Sequence, residues 1–101
     1  MSNTEKDNEF YKMADAFIAL ANKQSKNANP GKVSAAFLYA AARFNTFIAA
    51  SESNSANEYA SNKEKSLDYF MSEYKKMLEE HFADYHDNFD KYLREKNKAL
   101  N

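Results

Sequence analysis

Lys32–Ser51 reads KVSAAFLYAAARFNTFIAAS. Lys32 and Arg43 are its only charges, and it holds no Gly or Pro. Its large apolar residues, Val33, Phe37, Ala40, Phe44 and Phe47, recur at helical spacing. A second apolar line, Ala35, Leu38, Ala42, Asn45 and Ala49, runs along another side. A helix that is apolar on two sides packs between two neighbours. Its alanine side admits a second backbone at close range. This stretch therefore predicts an all-α fold, an antiparallel bundle with Lys32–Ser51 as the central helix.

Toward the N-terminus, a helix is expected from about Thr4 to about Lys26. Phe10, Met13, Ala14, Phe17, Leu20 and Ala21 form its apolar stripe, and Thr4 or Asp7 supplies the cap. Asn27–Gly31 ends it, because Pro30 cannot continue a helix and disfavours helical geometry at Asn29. Toward the C-terminus, Ser51–Asn57 is small and polar. It reads as a loop in which Ser55 or Asn57 caps the next helix.

That third helix is expected from about Glu58 to about Lys98. Leu67, Phe70, Met71, Tyr74, Met77, Leu78, Phe82, Tyr85, Phe89, Tyr92 and Leu93 keep its periodicity. As one helix it would be about 60 Å long, twice either of the others. Either it splits near residues 81–84, with Asp84 as a new cap, and makes four helices, or it overhangs and meets a second subunit. The expectation is thus one helical domain over residues 1–101, built of three long helices, the last whole or split.

Composition narrows the function. The chain has 101 residues, 44% hydrophobic and 15% aromatic, which argues against disorder. One Gly and one Pro leave too few breakers for a turn-rich β fold. With no cysteine there is no disulfide, thiolate nucleophile or Cys-based zinc site. MSNTEKDNEF carries no signal-peptide pattern. The longest unbroken apolar run, Ala35–Ala42, is short of the roughly 20 residues of a membrane span. The expected location is the cytoplasm, with no membrane partner. A net charge of −1 without a basic run argues against nucleic acid.

Several phrases resemble a family of short bacterial proteins known only as a domain of unknown function. They are Phe10–Asn22 (FYKMADAFIALAN), Gly31–Ala36 (GKVSAA), Leu38–Asn45 (LYAAARFN) and Tyr74–Glu80 (YKKMLEE). Asp84-Tyr85 and Asn88–Leu93 (NFDKYL) follow. The resemblance spans nearly the whole chain. It implies a bacterial, soluble, stand-alone helical domain and brings no site residues with it.

Few residues point to chemistry. His81 lies on the apolar arc of the third helix with Glu80 and Asp84 as neighbours, which is the one metal-like constellation. The residue three before His81 is Leu78, so the Glu-x-x-His spacing of di-iron bundles is missing. His86 pairs with Asp90 by spacing. Glu79, Glu80, Asp84, Asp87 and Asp90 form an acidic run spread around the helix, which suits a solvated face. No Gly-rich phosphate loop, nucleophile elbow or His–nucleophile pair is present, so no enzyme and no cofactor are expected.

Tyr39, Arg43 and Thr46 share the remaining face of the second helix with Lys32. Arg and Tyr among small residues suit a partner-binding patch. The plainer reading pairs Arg43 with a carboxylate of a neighbouring helix. Asn45 bonds a backbone or sets register in its seam. Tyr69, opposite the third stripe, is expected to be exposed, and the other aromatics to form the core. The leading expectation is a small self-associating interaction or regulatory module. The alternative is a bundle binding a metal or small ligand around His81.

Overall fold

The computed structural model describes residues 6–93. Among these residues there is helix and no strand, so the fold class is all-α. The elements are α1 (Asn8–Ser25), α2 (Pro30–Ser51), α3 (Ala56–Ser61) and α4 (Lys63–Asp87), and helix resumes over 89–93.

The helix ends follow from local chemistry. Asp7 is in extended geometry, and its side chain accepts the Phe10 N–H at 2.9 Å, an N-cap of α1. Thr4, the other candidate, lies outside the described residues. Asn29 caps α2, with Oδ1 accepting Gly31 N–H at 2.7 Å and Lys32 N–H at 3.3 Å. Pro30 is therefore the first residue of α2, where its missing N–H costs nothing. Reading Pro30 only as a stop placed this start two residues late. A Cβ on Gly31 would stand 3.0 Å from Asn29 Oδ1, so glycine leaves the cap uncrowded. Asn29→Ala is expected to cost about 1 kcal/mol, read as a lower Tm by circular dichroism. Ser55 caps α3, accepting Glu58 N–H at 3.1 Å.

The third predicted helix is interrupted, but not at 81–84. One residue, Asn62, separates α3 from α4. Its N–H is shared between the Glu58 and Tyr59 carbonyls, and its carbonyl accepts Ser66 N–H at 2.9 Å. The second interruption is Asn88 (φ −123°, ψ 29°). Asparagine side chains compete for backbone hydrogen bonds, which makes these two positions the weak points of the long helix.

Asp84 is not a new cap; it braces the second interruption from within α4. Its carbonyl accepts Asn88 N–H at 3.0 Å, and its carboxylate accepts Asn88 Nδ2 at 3.0 Å and Tyr92 O–H at 2.9 Å. The Tyr85 and Tyr92 rings lie 4.3 Å apart beside it. Tyr92→Phe removes one of these bonds and is expected to raise amide exchange over 89–93 while leaving α1 unchanged. The predicted continuation to Lys98 lies outside the described residues.

The chain divides into two compact units, residues up to 45 and residues from 46 on. The first unit holds α1 and most of α2. Val33 is the only buried residue among those described, at 8% exposure. Half-buried Ala21 and Ser25 lie with it beside the α1–α2 connection. In the second unit, Ser66, Tyr69, Phe70 and Glu73 of α4 are half-buried. Tyr69 and Phe70 meet edge to face at 5.4 Å. Tyr69 is therefore partly covered rather than exposed.

Among the described residues the predicted aromatic core is not buried. Phe17, Phe44, Phe47, Met71 and Phe82 are each at least 60% exposed. Periodicity marks the face that avoids water; it does not say what covers that face.

Candidate docking groove

An apolar groove runs between α1 and α2. Phe17, Leu20 and Ala21 form one wall, and Val33, Phe37, Ala40 and Phe44 the other. Small residues Ala36, Ala40 and Ala41 make its α2 side shallow, so the Phe37 and Phe44 rings stand out as ridges. Gln24 and Asn45 are its polar members, and no charged residue lines it. The helical spacing of the large residues builds this wall, as the sequence indicated. The alanine line Ala35, Leu38 and Ala42 has no part in it. Asn45, half-buried, borders the groove.

Tyr39, Arg43 and Thr46 lie outside the groove. Their spacing on α2 sets them along one stripe, turned away from the Phe37–Phe44 wall. All three are exposed, Tyr39 at 72%. Arg43 makes no hydrogen bond or ion pair among the described residues, so the expected pairing with a neighbouring carboxylate is not formed.

His81, Glu80 and Asp84 do not converge. Among the described residues no group of three or more His, Asp or Glu side chains is placed to hold a metal ion. Helical geometry sends Glu80 and His81 in directions 100° apart, and Asp84 is engaged by Asn88 and Tyr92. His86 pairs with Asp87, at 3.2 Å, instead of Asp90.

α2 is also long and apolar enough to cross a membrane, by length and composition alone. An 18-residue window within it has a mean hydropathy of 1.3. Counting only the unbroken run Ala35–Ala42 missed this, because Phe44, Phe47, Ile48 and further alanines continue the apolar character past Arg43 and Asn45. Arg43 lies well inside the helix, where a central charge in lipid costs about 2.5–3.5 kcal/mol or more.

Comparison with known proteins adds the lineage and little chemistry. An NMR structure of the protein NB7890A from Shewanella sp. is 37% identical, with a TM-score of 0.72. The match covers 92% of this chain and 97% of that one. No curated protein matches. A family model described as a protein of unknown function, DUF3144, matches residues 10–86, which contain the whole groove and nearly all of α4. The chain belongs to the DUF3144 family.

Proposed function

We infer that this chain is a small helical interaction module that works as a homo-oligomer. The observation that carries the reading is the missing core, since Val33 alone is buried among the described residues. Ordering a chain costs about 1–2 kcal/mol per residue in backbone entropy, and apolar burial is the main term that offsets it. One buried valine offsets very little of that cost.

The exposed side chains within each unit point the same way. Phe17 and Phe44 in the first unit, and Met71 and Phe82 in the second, are each at least 60% exposed. Contiguous exposed apolar surface marks an interaction site.

Light scattering after size exclusion tests this directly. A mass that is a multiple of 11.6 kDa, with a Tm that rises with protein concentration, is the expected result. A folded species of single-chain mass whose Tm ignores concentration would refute it. On this reading the exposed Tyr39, Arg43 and Thr46 stripe is the surface for a second protein. Arg43→Glu is then expected to leave the mass unchanged and to remove that protein from a pull-down at physiological salt.

A further inference from the structure

We draw no further inference here: the strongest candidate, the apolar groove between α1 and α2 walled by Phe17, Leu20, Phe37 and Phe44, carries nothing because nothing in the structure shows what covers it.

Discussion

Val33→Asp is expected to abolish the cooperative unfolding transition. The substitution deletes the one buried apolar side chain among the described residues, worth about 1.5–3 kcal/mol. It also places a carboxylate in a groove that no charged residue lines, and an uncompensated buried charge costs about 3–5 kcal/mol. Together these terms rival the whole stability of a small domain, about 5–15 kcal/mol. Circular dichroism at 222 nm during a thermal ramp checks it, and a sigmoidal transition near the wild-type Tm would refute it. Val33→Ala is the graded companion. It removes two methyl groups, costs about 2 kcal/mol, and is expected to lower the Tm by roughly 8–16 °C.

Phe44→Asp should have the second largest effect, on assembly. Phe44 is 63% exposed in the single chain, so its loss costs little inside one copy. In a two-fold dimer every substitution acts twice, once in each interface. Two phenylalanine contacts are lost and two carboxylates are left in apolar grooves, a penalty of about 6 kcal/mol or more. The dissociation constant should then rise by at least about 10⁴-fold. Light scattering at micromolar concentration is expected to give 11.6 kDa for Phe44→Asp, folded or not, and the wild-type mass for Tyr39→Asp. Equal masses for the two variants would remove the groove from the interface.

These two residues show what a helical repeat can and cannot report. Val33 and Phe44 belong to one spacing series on α2, and nothing in the sequence separates them. The structure buries the first and exposes the second. The difference comes from α1. Ala21 and Ser25 lie with Val33 beside the connection, whereas Phe44 stands farther along the open groove. The same limit explains Tyr69, which its own helix assigns to water and its surroundings half cover.

Where a feature depends on a few consecutive residues, the sequence was sufficient. The helical class and the interval between α1 and α2 are legible, and each of the caps Asp7 and Ser55 is one of the two candidates the sequence offers, because caps and breakers act within one turn. Reading Pro30 as the first residue of α2 needed the Asn29 side chain seen in place. The break of the long helix was placed at Asp84 by its ability to cap. It falls at Asn62 and Asn88, because Asp84 has a closer use, holding Asn88 and Tyr92. The groove was half legible. Its α2 wall is the large-residue series and its α1 wall part of the first apolar stripe, but that the two stripes leave an open groove was not legible.

The sequence by itself determined that this chain is helical, where its first two helices end, and which side chains seek cover from water. These are properties of one helical turn, settled by hydrogen bonds and dihedral preferences within a few residues. Only the tertiary structure decided which of those side chains obtain cover. Burial is a relation between two surfaces distant in sequence, and helical periodicity describes one surface at a time.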